Sequence, residues 1–181
     1  MRTLRVALLL AVVAGAFAIV APGDAARADG EGRSLKADLD GFEEPPAVSS
    51  TGSGEFRAKI SRDRSSFEYT LRYEDLEGTV TQAHIHVGQK GVNGGISVWL
   101  CETSTNPGPA DTPDCPGPNS GEVTGMVTAA QVIGPSGQGV APGEFEELLE
   151  AMREGVTYAN VHSTRNPGGE IRGQIRRRGG D

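Results

Sequence analysis

The chain has 181 residues, with 17 basic and 24 acidic side chains, three histidines, two cysteines and a formal net charge of −7 at neutral pH. This length predicts one domain rather than two. The acidity argues against a nucleic-acid partner, because such binding depends on positive charge that neutralises phosphates.

The N-terminus carries the pattern of an export signal. Arg2 and Arg5 precede an apolar run over residues 6–20, and residues 26–28 (Ala-Arg-Ala) offer the small side chains at which signal peptidase cleaves. A retained membrane anchor is the weaker alternative, because the run is shorter than the ~20 apolar residues that span a bilayer. We predict a secreted protein, extracellular or in the cell envelope, with no membrane span after cleavage.

Cleavage near Ala28 divides the chain into four segments. These are a signal peptide at 1–28, a short linker at 29–33, a folded domain at 34–177 and a tail at 178–181. The mature chain holds 14 basic and 23 acidic residues, a formal net charge of −9. We interpret the basic end of the chain as a solvated terminus; contact with an anionic surface is the alternative.

Short segments of alternating apolar and polar residues run through the domain, bounded by Gly, Pro, Asn and Ser. Eight strands are predicted, at 34–42, 54–61, 66–73, 79–87, 96–101, 122–128, 156–163 and 169–176. This pattern is typical of an all-β antiparallel sandwich or barrel, either immunoglobulin-like or similar to copper–zinc superoxide dismutase. Alternation in the third strand predicts that its aromatic residues face the core.

One short helix is predicted before the last two strands. Phe145, Leu148, Leu149 and Met152 recur at helical spacing, and Gly155 follows as a stop signal. We expect this apolar stripe to cover an open end or an edge of the sheet. Binding of a partner by the helix is the alternative.

Cys101 and Cys115 are the only cysteines of the chain. An even cysteine pair in an exported protein predicts one disulfide, which would close a loop of about 15 residues and stabilise by up to ~3 kcal/mol. A cysteine-ligated metal is disfavoured, because no Cys-x-x-Cys spacing occurs and no histidine lies nearby in sequence. Trp99 is expected to pack on the sheet beside the disulfide.

All three histidines lie on the predicted polar side of strands. Period two places His84 and His86 on one face of their strand, and His162 shares a face with Tyr158 and Asn160. The final strand repeats the division, with Glu170, Arg172 and Gln174 on the polar side.

The same segments resemble a known family. His-Ile-His-x-Gly at 84–88, Gly-x-Asn-Gly-Gly at 91–95, Tyr-x-Asn-Val-His at 158–162 and Pro-x-Gly-Glu-Ile-Arg-Gly-Gln at 167–174 are similar to the motifs of the chordin-type domain called CHRD. The resemblance covers about residues 34–176. It implies a secreted β-protein and no generally established reaction.

Two interpretations of the polar residues stay open. His84 and His86 have Cα atoms about 6.6 Å apart on one face, so with His162 they could hold one copper or zinc ion, with Glu170 as a supplementary ligand or as an orienting group. The pair is similar to the copper-binding histidines of copper–zinc superoxide dismutase. Three histidines are too few for that enzyme's two-metal site.

The alternative is a structural polar network. In it, histidine nitrogens bond to loop carbonyls, and Asn160 satisfies backbone groups. Glu170 pairs either with a basic neighbour such as Arg172 or with a partner on an adjacent strand, and Gln174 belongs to the same network. This interpretation predicts no cofactor.

The sequence signals for a catalytic site are weaker than those for a metal site or a polar network. No serine lies in Gly-x-Ser-x-Gly, Glu43-Glu44-Pro45-Pro46 favours a solvated turn over a carboxylate pair, and residues 91–95 favour a hairpin turn over a phosphate loop. We therefore predict a monomeric, non-enzymatic binding or structural module with an unidentified protein or cell-envelope partner. The alternative function is copper or zinc binding, with or without redox activity, through His84, His86 and His162.

Overall fold

The computed structural model describes residues 33–178. The predicted signal peptide, all but the last residue of the linker, and residues 179–181 lie outside the described residues. The nine strands are β1 (Ser34–Asp40), β2 (Ser53–Ile60), β3 (Phe67–Glu74), β4 (Val80–Val87), β5 (Gly95–Cys101), β6 (Gly121–Val127), β7 (Thr157–Ser163), β8 (Ile171–Gln174) and β9 (Arg176–Arg177). One α-helix, α1 (Phe145–Arg153), lies between β6 and β7.

The strands form one antiparallel sheet in the order β5-β4-β7-β8-β1-β2-β3-β6, and β9 pairs with β1. The eight predicted strands are all present. The predicted eighth strand is divided into β8 and β9, which both pair with β1, at Asp40 and at residues 35–36. The all-β prediction is confirmed.

The sheet curls into a nearly closed, barrel-like shape around one apolar core. Tyr69 on β3 donates a 2.6 Å hydrogen bond to the carbonyl oxygen of Leu100 on β5, and thus connects strands near the two ends of the sheet. The predicted alternation of β3 is confirmed, since Phe67, Leu71 and Tyr73 are buried.

The helix covers one end of this core, as its periodicity predicts. All four residues of the predicted apolar stripe are buried. The ring of Phe145 lies 5.9 Å from that of Phe67, at the start of β3. No helix within residues 33–178 is both long enough and apolar enough to cross a membrane.

The disulfide between Cys101 and Cys115 is confirmed, with the two Cα atoms 4.9 Å apart. It closes the proline-rich loop that follows β5. Gly108 of this loop lies so close to the ring of Trp99 that a β-carbon at this position would clash with the ring. The loop therefore packs over Trp99, which is half-buried on β5.

Candidate functional site

The candidate site lies on one half of the sheet, on the side that faces away from the apolar core. Cross-strand pairing places Trp99, His84, Asn160 and Arg172 in one row across β5, β4, β7 and β8. A second row pairs His86 with Tyr158 and Tyr158 with Gln174. We call this side the covered polar face; it comprises Trp99, His84, His86, Tyr158, Asn160, His162, Arg172 and Gln174.

The covered polar face is buried because loops lie over it. The loop after β1 brings Glu44 to Asn160, the β4–β5 loop brings Gly94 to His86, and the β7–β8 loop brings Pro167 to His162. The exposed fractions of His84, His86 and His162 are 0%, 7% and 6%. The three histidines thus lie together on the polar side of their strands, and loops cover this side, which the sequence left undecided.

The pairing of β4 with β5 is irregular beside both histidines of β4. Register shifts separate Ala83 from His84 and Ile85 from His86. Such bulges twist a strand locally and redirect its side chains, and they are common next to functional sites. Here the extra residues, Leu100 and Ser97, lie on β5, so β4 keeps its regular pairing with β7 over residues 82–87, and His84 and His86 stay on one face.

Hydrogen bonds to backbone carbonyls determine which nitrogen carries the proton in two of the rings. His86 Nδ1 lies 3.0 Å from the carbonyl oxygen of Gly94, and His162 Nδ1 lies 2.9 Å from that of Pro167. A carbonyl oxygen only accepts, so each Nδ1 donates. In the neutral rings Nε2 then carries the lone pair that a metal ion would use.

His84 connects to this pair directly. Its Nδ1 lies 3.2 Å from His162 Nε2, so that His84 donates and the lone pair of His162 accepts. His84 Nε2 and His86 Nε2 are buried and have no hydrogen-bond partner among the described residues. Buried polar atoms are normally paired, so two unpaired imidazole nitrogens in one cluster require an explanation.

The three imidazoles fit a metal ion in number and spacing. One ligand nitrogen from each ring lies within 4.8 Å of the other two. Metal–nitrogen bonds of about 2.0 Å place the nitrogens of a trigonal or tetrahedral site about 3.3 to 3.5 Å apart. The 3.2 Å between His84 Nδ1 and His162 Nε2 already matches, so these two atoms can both be ligands once the proton of His84 moves from Nδ1 to Nε2. The other separations require shifts of at most about 1.5 Å.

Burial keeps the three rings neutral. It lowers the pKa of His84 to about 2, helped by the neighbouring His162 and His86. Burial likewise lowers the pKa of His86 to about 4 against the opposing effect of the bond to Gly94, and it lowers the pKa of His162. Neutral imidazole is the protonation state that binds metal.

Aromatic rings pack on two of the histidines. The Trp99 ring meets His84 edge-on with centroids 4.3 Å apart, and the Tyr158 ring is parallel to His86 at 4.7 Å. The guanidinium of Arg172 lies 3.3 Å from the centre of the Tyr158 ring. These contacts hold the imidazoles in place and exclude water from them.

Arg172 is 1% exposed and lacks a carboxylate hydrogen-bond partner in the described chain. It donates to the carbonyl oxygens of Gln89 and Val92 and to the side-chain oxygen of Asn93. Of the two kinds of partner expected for Glu170, the pairing with Arg172 is therefore wrong. Arg172 instead fixes the β4–β5 loop that also holds His86.

Glu170 binds a different set of groups. Its carboxylate accepts hydrogen bonds from Ser50 Oγ at 2.7 Å, from the Glu77 backbone N–H at 2.6 Å and from Ser163 Oγ. Burial raises the pKa of this carboxyl, but the donated hydrogen bonds outweigh burial and lower it overall. Glu170 does not join the histidine cluster.

Sequence reasoning missed Glu44. The predicted solvated turn is wrong at this residue, because Glu44 is buried and accepts a 2.6 Å hydrogen bond from Asn160 Nδ2. Burial raises its pKa to about 7, against the lowering effects of Asn160 and Arg172. Gly169, at φ +134°, makes room for this pair, since a β-carbon there would clash with both side chains.

Asn160 satisfies a backbone group, as the network interpretation predicts, and Gln174 satisfies two others. Asn160 Nδ2 also donates to the carbonyl oxygen of Ile171 at 2.9 Å. Gln174 Nε2 donates to the carbonyl oxygens of Gly88 and Gly155. The covered polar face is thus a bonded layer that contains the histidine cluster.

These features define an all-β, barrel-like module with a covered polar face built around three histidines. The family model of the CHRD domain matches residues 35–175, and the chain belongs to this family. CHRD domains are typically extracellular. Neither a curated protein nor a solved structure matches the chain.

Proposed function

We propose that this protein is an exported CHRD module that binds one transition-metal ion of the copper and zinc class through His84, His86 and His162. The single observation behind this proposal is the buried, unpaired Nε2 atom of His86 in a cluster where one ligand nitrogen of each ring lies within 4.8 Å of the other two. A bound cation would give His86 Nε2 the partner that it lacks, and it would replace the proton that His84 Nδ1 donates to His162.

The hydrogen bonds of the ring nitrogens support this proposal. Metal-binding histidines characteristically donate their second nitrogen to a carbonyl or a carboxylate, which fixes the ring orientation. His86 and His162 do so through Gly94 and Pro167. When bound, the ion would bridge three imidazoles from two adjacent strands and stabilise the loops that cover them.

The role that we propose is binding rather than catalysis. The imidazoles are enclosed by Trp99, Tyr158 and the covering loops, which leaves a substrate little access to the ion. Export is supported by the N-terminal pattern, the disulfide and the family. We further propose a monomer that acts at the cell envelope or outside the cell.

The competing function is a purely structural one. It is favoured by the bonds from His86 and His162 to loop carbonyls, which a polar network requires as much as a metal site does. The two functions differ in one respect. In the structural network, the Nε2 atoms of His84 and His86 stay unpaired and the cluster is empty. In the metal site, an ion occupies the cluster.

Metal uptake distinguishes these functions. We expect secreted protein, purified without chelator or nickel affinity resin, to take up about one equivalent of copper or zinc at pH 7.5, and its unfolding temperature to rise with metal concentration. The double variant His84→Ala/His86→Ala should lose this uptake and the temperature shift. Thr124→Ala, on the exposed side of β6, is the matched control and should keep both.

Circular dichroism establishes that each variant is folded before metal is added. A folded double variant that retains one equivalent would show that the ion binds elsewhere. No uptake and no temperature shift in the folded wild-type protein would contradict metal binding and leave the structural network.

A further inference from the structure

We propose that the ion for which this site is built is Cu(I) rather than Zn(II) or Cu(II). This inference rests on the proposed metal-binding function and specifies its ligand. It follows from three properties of the covered polar face: the charge of the donors, the charge of their surroundings and the number of ligands that the enclosure permits.

The donors carry no negative charge. Within residues 33–178, no carboxylate and no thiolate joins the three histidines in the cluster. The free energy needed to bury an uncompensated ion grows with the square of its charge, so a divalent cation among neutral ligands costs about four times as much as a monovalent one. The donor set therefore favours a single positive charge.

The layer holds a buried positive charge that acts on His86, and Glu44 offsets this charge in part. Arg172 stacks on Tyr158, and Tyr158 stacks in turn on His86. The hydrogen bonds of Arg172 end on two carbonyl oxygens and one amide oxygen, so no carboxylate neutralises it through a direct hydrogen bond. Repulsion from this guanidinium is twice as large for a divalent ion as for a monovalent one.

The enclosure limits the number of ligands to three. Zn(II) prefers four ligands in a tetrahedron, and Cu(II) prefers a tetragonal arrangement of nitrogen and oxygen donors. Cu(I) accepts three donors in a trigonal arrangement. The aromatic rings against His84 and His86 occupy the space beside the imidazoles, and the near-complete burial of all three histidines restricts a solvent ligand.

Competition titrations test the preference. Cu(I) is added without oxygen in the presence of a chromophoric Cu(I) chelator of known affinity, and Zn(II) is added against a zinc-binding dye. We expect the affinity of the folded protein for Cu(I) to exceed that for Zn(II) by about 100-fold or more. The X-ray absorption edge of the copper-loaded protein should be that of three-coordinate Cu(I), and no Cu(II) resonance should appear on exposure to air.

A variant with an added carboxylate tests the cause of this preference. Gln82 is half-buried and lies directly opposite His162, and its side chain has no described hydrogen bond. Gln82→Glu therefore introduces negative charge beside the cluster without breaking a side-chain bond. We expect the ratio of the Cu(I) affinity to the Zn(II) affinity to be about 10-fold lower in this variant. Thr124→Glu, which adds the same charge on the exposed side of β6, should leave the ratio unchanged.

The outcomes separate this inference from the proposed function. If Zn(II) binds as tightly as Cu(I) or more tightly, and binding is lost in His84→Ala/His86→Ala, the site is correct and the inference is overturned. A Cu(II) resonance in the air-exposed protein would also overturn the inference. If the folded protein binds neither metal, both proposals fail.

Discussion

Strands β3 and β7 both alternate polar with apolar residues, yet they meet different surroundings. On β3 the polar residues Glu68 and Arg72 point into solvent, whereas on β7 Asn160 and His162 are as buried as the apolar residues between them. The difference arises from the loops that fold over β4, β7 and β8. Alternation therefore identifies the two sides of a strand, but burial of the polar side depends on what covers it.

The two halves of the sheet also differ in how strictly their polar groups must be paired. An exposed side chain exchanges its hydrogen bonds with water at little cost, whereas a buried one that loses its partner costs about 1 to 3 kcal/mol. Substitutions on the covered polar face should therefore have large effects. The same substitutions on β3 or β6 should have small ones, and the following predictions test this contrast.

The largest effect is expected from pH. The three histidines have lowered pKa values, so their contribution to stability is complete above pH 6.5, the ordinary histidine pKa, and is lost as the pH falls toward their folded values. Glu44, with its pKa raised from 4.5 to about 7, acts in the opposite direction and restores stability over the same range. Because three groups oppose one, we expect a net loss of about 3 kcal/mol in unfolding free energy between pH 6.5 and 4.5.

Urea unfolding at a series of pH values measures this loss. Glu44→Gln removes the opposing contribution, so its unfolding free energy should fall more steeply than that of the wild-type protein. A flat profile in both proteins would show that the histidines are not buried in neutral form. The metal-free protein is used, because a bound ion would add its own pH dependence.

Glu170→Ala should have the next largest effect. The substitution strands the hydroxyls of Ser50 and Ser163 and the backbone N–H of Glu77, so we expect a loss of about 2 kcal/mol. Glu122→Ala on the exposed side of β6 is the matched control and should stay within about 0.5 kcal/mol. Urea midpoints measure both; equal midpoints for the two variants would contradict the contrast between the two halves.

The smallest effect on stability is expected from substituting two arginines, one on each half of the sheet. Arg172→Lys removes a planar group that stacks on Tyr158 and donates to the β4–β5 loop, and should cost about 1 to 2 kcal/mol. Arg72→Lys, at an exposed ion pair with Glu74, should cost about 0.5 kcal/mol or less. Thermal unfolding checks both values, and amide hydrogen exchange in residues 88–94 should accelerate only in Arg172→Lys.

Sequence reasoning found most of the candidate site because its signals are local. Period two placed His84 with His86, and Asn160 with His162, on single faces. It could not find Glu44, which follows the short turn after β1 and reaches Asn160 across 116 positions of the chain. An acidic residue before two prolines has the composition of an exposed turn, and nothing local marks it as buried.

Local spacing could also not decide between Arg172 and a partner on another strand for Glu170. Residues two apart on a strand share a face, so a carboxylate and a guanidinium at this spacing suggest an ion pair. Glu170 precedes β8, and its carboxylate bonds instead to Ser50, 120 positions away, and to the adjacent end of β7. Longer-range partners displaced the local one.

The sequence by itself determined the strands, the helix, the disulfide and the polar side of each strand, because alternation, helical periodicity and cysteine count are properties of neighbouring residues. Only the tertiary structure decided that this polar side is buried, that His84 meets His162, and that Glu44 and Arg172 complete the layer. These outcomes depend on strand order and on how loops fold over the sheet. Both arise from contacts between residues far apart in the chain, and local sequence patterns carry no information on such contacts.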